Sequence, residues 1–141
     1  MSAKERRAEA KRIVEDYNEG HLDVLDEFYA ADFVRHVPPF PDIEGLEALK
    51  QSIVDVRNAF PDRQLRIDEL IVEGDTVAMR WTWRGTHAGQ SAAIPIPPTG
   101  KQVVMTGCTT SHFVGGKRVE EWEYGDYVGL LQQLGLVPAL G

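Results

Sequence analysis

The chain has a single cysteine, Cys108, among its 141 residues. One thiol closes no internal disulfide and builds no cysteine-based zinc site, so nothing marks an oxidising compartment. Long apolar runs are also missing: no stretch approaches the roughly 20 residues a membrane helix needs. Met1 to Lys11 is charged and has no apolar centre, so no signal peptide is expected and the cytoplasm is the expected location. Basic charge is short, with 15 Lys and Arg against 22 Asp and Glu and a formal net charge of -7. A phosphate backbone or an anionic membrane surface needs the opposite balance, so neither nucleic acid nor membrane is an expected partner. That balance places no restriction on a small hydrophobic molecule. Absent too are Gly-x-Gly-x-x-Gly, P-loop and Gly-x-Ser-x-Gly motifs, which removes support for nucleotide binding and serine hydrolysis. The four histidines show no metal-ligand spacing, so no metal site is expected.

What is present is ordinary globular composition, 43% apolar and 26% charged, long enough for one domain over residues 1–141. Residues 3–18 read as a surface helix with a narrow stripe of Ala8, Ile13, Val14 and Tyr17, ended at Gly20. His21 to Tyr29 reads as a second, short helix, with Leu22, Leu25, Phe28 and Tyr29 at helical spacing. Phe33 to Phe40 reads as an irregular loop closed by Pro38, Pro39 and Pro41. Glu44 to Phe60 is a third helix on Leu46, Leu49, Ile53, Val56 and Phe60, stopped by Pro61-Asp62.

From residue 64 the period changes to two. Leu65, Ile67, Leu70 and Val72 mark one strand, and Glu73-Gly74-Asp75 a turn. In the next strand Val77, Met79, Trp81 and Trp83 alternate with Ala78, Arg80, Thr82 and Arg84. Gly85 to Lys101 is a flap or a wide connection. Gln102 to Val114 and Lys117 to Asp126 are two more strands joined by a Gly115-Gly116 hairpin. Tyr127 to Leu134 is a last helix ended by Gly135. Helices, then a strand meander, then a helix is segregated α+β order. It predicts a curved antiparallel sheet with helices on one face and a hollow between them, where ligands sit.

The last strand carries the chemistry. By alternation Val119, Glu121 and Glu123 share one face, and Glu120, Trp122 and Tyr124 the other. Glu121 and Glu123 stand roughly 6.5–7 Å apart at Cα on that reading. If their face lines the hollow, desolvation and mutual repulsion raise at least one pKa, giving a general acid or base. If it does not, the segment is a solvated acidic strand. His36, after the second helix, is placed at the mouth of the hollow or on the surface. His87 positions the loop that follows it, His112 is structural or at an interface, and His21 starts a helix. Arg80 and Arg84 either hold an anion or form surface ion pairs.

Several stretches together resemble the SnoaL-like polyketide cyclases of the nuclear-transport-factor-2-like superfamily. They are Asn18-x-Gly20, Leu25-Asp26-Glu27-Phe28-Tyr29, Asp32-Phe33-Val34, Phe60-Pro61-Asp62 and Gly85-x-His87-x-Gly89, followed by Ile96-Pro97-Pro98-Thr99-Gly100-Lys101, Gly116-Lys117, Trp122-x-x-x-Asp126 and Gln133-Leu134-Gly135. The resemblance implies a cone-shaped α+β barrel wrapped around N-terminal helices, a homodimer packed through its sheets, and no metal or organic cofactor. It also implies ring closure by intramolecular aldol condensation. In those cyclases a histidine and an acid/base aspartate, two apart on the last strand, face the pocket. Counted from the flanking motifs, the aspartate falls on Glu123 and the histidine on Glu121. Gly107 and Thr109 fall where those cyclases carry larger polar side chains.

On this reading Glu123 abstracts a proton beside a carbonyl and Glu121 tunes it by like-charge coupling. His36 and Thr109 hold a substrate oxygen. Phe40, Trp83, Ile94, Ile96 and Met105 form an apolar wall. Asp126 is counted on the substrate side, with ordering of the last turn as its expected role. The alternatives are an isomerase or epoxide hydrolase on the same fold, or a non-catalytic binding or dimerisation module. A hydrolase of the limonene-epoxide type needs an Asp–Arg–Asp arrangement, to which Arg80 or Arg84 supplies only the Arg.

Overall fold

The first helix starts at a serine N-cap: Ser2 Oγ accepts the Glu5 N–H at 3.1 Å. In the computed structural model, which describes residues 1–139, α1 spans Ala3–Glu19. It ends at Gly20 in the left-handed region, φ 81°, where His21 N–H returns to Asp16 C=O. Its buried residues are Arg6, Glu9, Ala10 and Val14, while Ala8 is exposed. Of the expected stripe Val14 is buried and Ile13 and Tyr17 are half-buried against the core, so Ala8 alone falls off it, and the buried face also carries two charges. Asn18 ties the helix to the sheet by both accepting from and donating to the Leu65 backbone.

A short α2 (Val24–Phe28) runs directly into strand β1 (Tyr29–His36), which takes Tyr29 from the expected second helix and residues 33–36 from the expected loop. β2 is two residues, Ile43–Glu44, and Gly45 at φ 92° starts α3 (Leu46–Ala59). Val24, Leu25, Tyr29, Phe33, Leu46 and Leu49 close one core between these elements. Four long strands follow: β3 (Gln64–Glu73), β4 (Thr76–Thr86), β5 (Gln102–Val114) and β6 (Lys117–Gly125). A final helix α4 covers Tyr127–Gln133.

The sheet order is β2-β1-β6-β5-β4-β3. β1 runs parallel to β6 and every other pair is antiparallel, so the sheet is mixed rather than wholly antiparallel. It has two free edges and does not close into a barrel. Helices α1 and α3 cover one face, and a cavity of about 590 Å³ lies between them and the sheet.

Register decides what that inner face presents. Val77, Ser111 and Glu121 stand abreast on β4, β5 and β6, with Arg35 of β1 beside Glu121. The next row is Met79, Thr109 and Glu123, and the next Trp81, Gly107 and Gly125. A Cβ on Gly107 would lie 2.4 Å from the Trp81 indole, so the ring fills the space that a larger residue would need. One residue breaks the β5–β6 ladder. Pairing passes from His112–Glu120 to Phe113–Arg118, leaving Val119 as a bulge. That extra residue turns Arg118 onto the same inner face as Glu121.

The 87–101 connection is held down rather than loose. Its amides at Ala88 and Gly89 donate to Ala59 C=O, and His87 N–H and C=O bond Lys101 and Gly100. The buried His87 ring bonds Thr99 through Nδ1 and leans on Phe60, which is the loop-positioning role expected for it.

Candidate active site

The cavity has an apolar body and one charged end. Tyr17, Ile53, Met79, Trp83, Ile94 and Leu130 are among its walls, and the charged end is built by β1, β5 and β6. There the side chains form a line of alternating charge. Glu9 Oε1 accepts from Arg118 Nη2 at 2.6 Å. Arg118 Nη1 donates to Glu121 Oε2 at 3.2 Å, and Glu121 Oε1 accepts from Arg35 Nη2 at 3.1 Å. Arg35 Nη1 then lies 3.8 Å from Glu123 Oε1, and Glu123 Oε2 accepts from the Tyr127 hydroxyl at 2.9 Å.

The Glu9–Arg118–Glu121 part of this line is buried and its Arg35–Glu123 end is more open. The Glu9 and Glu121 side chains are each 1% exposed, whereas Arg35 is 16% and Glu123 19% exposed. Glu121 has both oxygens engaged, since Ser111 Oγ also donates to Oε2 at 2.6 Å. Burial pushes its pKa up, but the positive charges of Arg35 and Arg118 and these hydrogen bonds outweigh burial and hold it below the usual carboxylate value. Burial likewise opposes the Arg35 charge, and Glu121 and Glu123 overcome it. Burial first, and then the neighbouring Glu123 carboxylate, raises the Tyr127 phenol, so it stays a proton donor.

Glu123 is held differently. Tyr127 donates to one oxygen, and Thr109 Oγ1 reaches the other at 3.5 Å while accepting from Trp81 Nε1 at 3.0 Å. Its nearest cation is beyond hydrogen-bond distance. A carboxylate with lone pairs still open, at the end of an apolar cavity, can accept a proton from a bound molecule.

Residues 8–134 match the SnoaL-like polyketide cyclase family. The chain belongs to that family. It is similar to the aklanonic acid methyl ester cyclase AcmA of Streptomyces galilaeus, 28% identical over 131 residues, with 91% of this chain and 89% of AcmA aligned. The aklanonic acid methyl ester cyclase DnrD of Streptomyces peucetius is 26% identical over 129 residues, covering 89% and 87%. Among solved structures, AclR from Streptomyces galilaeus superposes with a TM-score of 0.86 at 28% identity, over 99% of this chain and 87% of that one. Wild-type IdmH from Streptomyces antibioticus gives 0.78 at 30% identity, over 92% and 97%.

In this SnoaL-like chain Glu121, Glu123, Phe40, Trp83, Ile94, Met105 and Thr109 all line the cavity. Phe40 is 48% exposed and packs edge-on against Tyr127 at 4.9 Å, which puts both at the rim. Three expected residues are elsewhere. His36 lies on the outer face, bonded to Glu120 at 2.6 Å and Asp42 at 3.0 Å and stacked near Trp122. Residues 33–36 are strand, not loop, so alternation sends Arg35 inward and His36 outward. Asp126 caps α4 by accepting the Gly129 N–H at 2.9 Å and does not reach the cavity. The chain turns at Pro95, where Ile96 N–H donates to Ile94 C=O, and this takes Ile96 off the wall.

Arg80 and Arg84 are exposed on the outer face, as surface residues. His112 stacks on Trp122 there, and His21 is exposed beside Glu19. The expected repulsion between two adjacent carboxylates is replaced by a cation between them, which lowers rather than raises Glu121. Sequence reasoning missed Arg35, Arg118 and Tyr127. Arg35 was legible had Phe33 and Arg35 been read as alternating; the Val119 bulge that brings in Arg118 leaves no clear sequence signal.

Proposed function

We propose that the chain is a cofactor-independent acid/base enzyme that closes a ring by intramolecular aldol chemistry on a polyketide-type carbonyl compound. Glu123 is the proton carrier. The observation that carries this reading is its position: a carboxylate at the charged end of an apolar cavity, hydrogen-bonded but not neutralised by direct contact with a cation. The names of AcmA and DnrD point to an aromatic polyketide methyl ester as the substrate type. A cavity of about 590 Å³ suits a molecule of that size.

The chemistry asks little beyond a placed base when the carbon acid lies between two carbonyls. Glu123 removes the proton, and the C–H electron pair becomes the enolate. The enolate carbon attacks a second carbonyl of the same molecule, and the resulting alkoxide takes the proton back from Glu123. Thr109 is within reach to hold a substrate oxygen, while Phe40, Trp83, Ile94 and Met105 exclude water around it. Replacing Glu123 by Gln keeps the shape and removes the base. Turnover of an aromatic polyketide methyl ester carrying a 1,3-dicarbonyl should fall by about 10²- to 10⁴-fold. Undiminished turnover in that variant removes Glu123 from the mechanism.

One observation favours a second reading. Glu121, Arg35 and Glu123 form a carboxylate–guanidinium–carboxylate set, the arrangement that epoxide hydrolysis needs, with Glu in place of Asp. Against it, Glu121 already accepts three hydrogen bonds and is 1% exposed, so a water or an epoxide has no open approach to it. Diol formation from small apolar epoxides in labelled water would favour this reading over the cyclase one.

A further inference from the structure

We propose that Arg35 is a catalytic residue that binds the oxyanion of the enolate through Nη1. The inference rests on the reading of Glu123 as the base and deepens it. Among the described residues Arg35 makes one side-chain hydrogen bond, from Nη2 to Glu121 Oε1 at 3.1 Å. Its Nε is buried and has no partner, and Nη1 stands 3.8 Å from Glu123 without bonding it. A guanidinium has five N–H donors, and those of Nη1 are left without a bond beside Glu123, so an oxygen at the charged end of the cavity that accepted from them would be favoured.

The placement also fits the movement of charge. Before reaction the negative charge opposite Nη1 is on Glu123. When Glu123 takes the carbon-bound proton, that charge passes to the carbonyl oxygen as the C–H pair becomes the new C–C π bond. The cation then faces an oxyanion in the same cavity without having moved. Glu121 supports this by holding the guanidinium from behind, where it is itself fixed by Ser111 and Arg118. A donor set held rigid before reaction is what makes such stabilisation effective. The residue at position 121, where the resemblance places a histidine, is thereby the partner of a cation rather than a second base.

The experiment uses 4-nitrophenol, whose ionised form is an oxyanion conjugated to an apolar ring, and its neutral methyl ether as control. Glu123→Gln mimics the enzyme after proton transfer. It should bind the phenolate at least about tenfold more tightly than wild type, because the competing carboxylate charge is gone. Adding Arg35→Lys, which keeps a charge but loses the fork, should weaken phenolate binding about tenfold or more and leave the ether unchanged. Arg35→Met in the same background should weaken it further. In the otherwise wild-type chain, Arg35→Lys should lower kcat about tenfold with KM changed far less, since the contact forms only after proton transfer.

Equal phenolate binding with and without Arg35 overturns the proposal and leaves Glu123 as the base. So does an equal loss of phenolate and ether binding, which would mark Arg35 as structural. Tight, Arg35-dependent phenolate binding together with full turnover in Glu123→Gln overturns the reading on which it rests.

Discussion

Glu121 and Glu123 are the same residue, on the same face of the same strand, one pleat apart at the charged end of the cavity, and their neighbours make them different groups. On the side towards α1, Glu121 is enclosed by Ser111, Arg118 and Arg35, with every oxygen spoken for. On the side towards α4, Glu123 meets a phenol, a distant threonine hydroxyl and open cavity. Residue type and burial of the neighbourhood do not separate a structural carboxylate from a reactive one. The number of lone pairs already taken does. The buried line Glu9–Arg118–Glu121–Arg35 behaves as part of the core, and the one carboxylate beyond it is free for chemistry.

The widest separation between the two should come from identical substitutions. Glu121→Gln removes the carboxylate that Arg35, Arg118 and Ser111 share, leaving Arg118 on Glu9 and Arg35 facing Glu123, and the lost charged hydrogen bonds should cost about 1.5–3 kcal/mol in chemical denaturation. Glu123→Gln should cost under about 1 kcal/mol while removing turnover, since the site is partly open and no cation is in contact. Equal losses of stability would collapse the distinction. Acid should show the same asymmetry. The folded-state pKa of Glu121 is depressed, so its contribution to stability is present above its ordinary value of 4.5 and is lost as pH falls through the folded value. Stability measured from pH 5 downward should fall less steeply in Glu121→Gln than in wild type.

A smaller effect sharpens the α4 side. Tyr127→Phe keeps the ring against Phe40 and removes the one strong hydrogen bond to Glu123. A bond to a charged acceptor contributes about 1.5–3 kcal/mol, so the melting temperature should fall by about 3–10 °C and kcat about tenfold. The phenol is held protonated by burial and by Glu123, so the alkaline limb of the pH–rate profile should be the same with and without it. An unchanged kcat would mean that Tyr127 only shapes the rim.

The long strands were legible because β4, β5 and β6 alternate cleanly, and the orientation of Glu121 and Glu123 followed from that parity. β1 was not. Its residues Asp32, Arg35 and His36 put charge on both faces, and three prolines follow closely, so the segment has the composition of a loop. It is a strand because Phe33 and Tyr29 have a core to enter and β6 offers a parallel edge, neither of which is local information. The difference is chemical: a loop leaves His36 at the mouth of the hollow or on the surface, whereas the strand fixes it outside and puts Arg35 in the cavity. Arg118 was hidden for a different reason. Alternation assigns it to the outer face with Glu120, and a bulge of one residue reverses that without any glycine or proline to announce it. α4 was foreseen as a helix, but which of its residues meets Glu123 depends on how Asp126 caps it.

The smallest effect lies outside the cavity and tests the parity of β1. His36 is hydrogen-bonded to Glu120 of β6 and to Asp42 of the following turn, and these bonds raise its pKa above the ordinary 6.5. A raised value means that its contribution to stability is complete below 6.5 and is lost as pH rises through the folded-state value. The bonds are on a partly exposed outer face, so the drift should be slight. His36→Gln should flatten the fall in melting temperature above pH 6.5 and leave turnover at the wild-type rate across the same range. A large loss of kcat in that variant would put residue 36 inside the cavity, Arg35 outside it, and the strand in the opposite register.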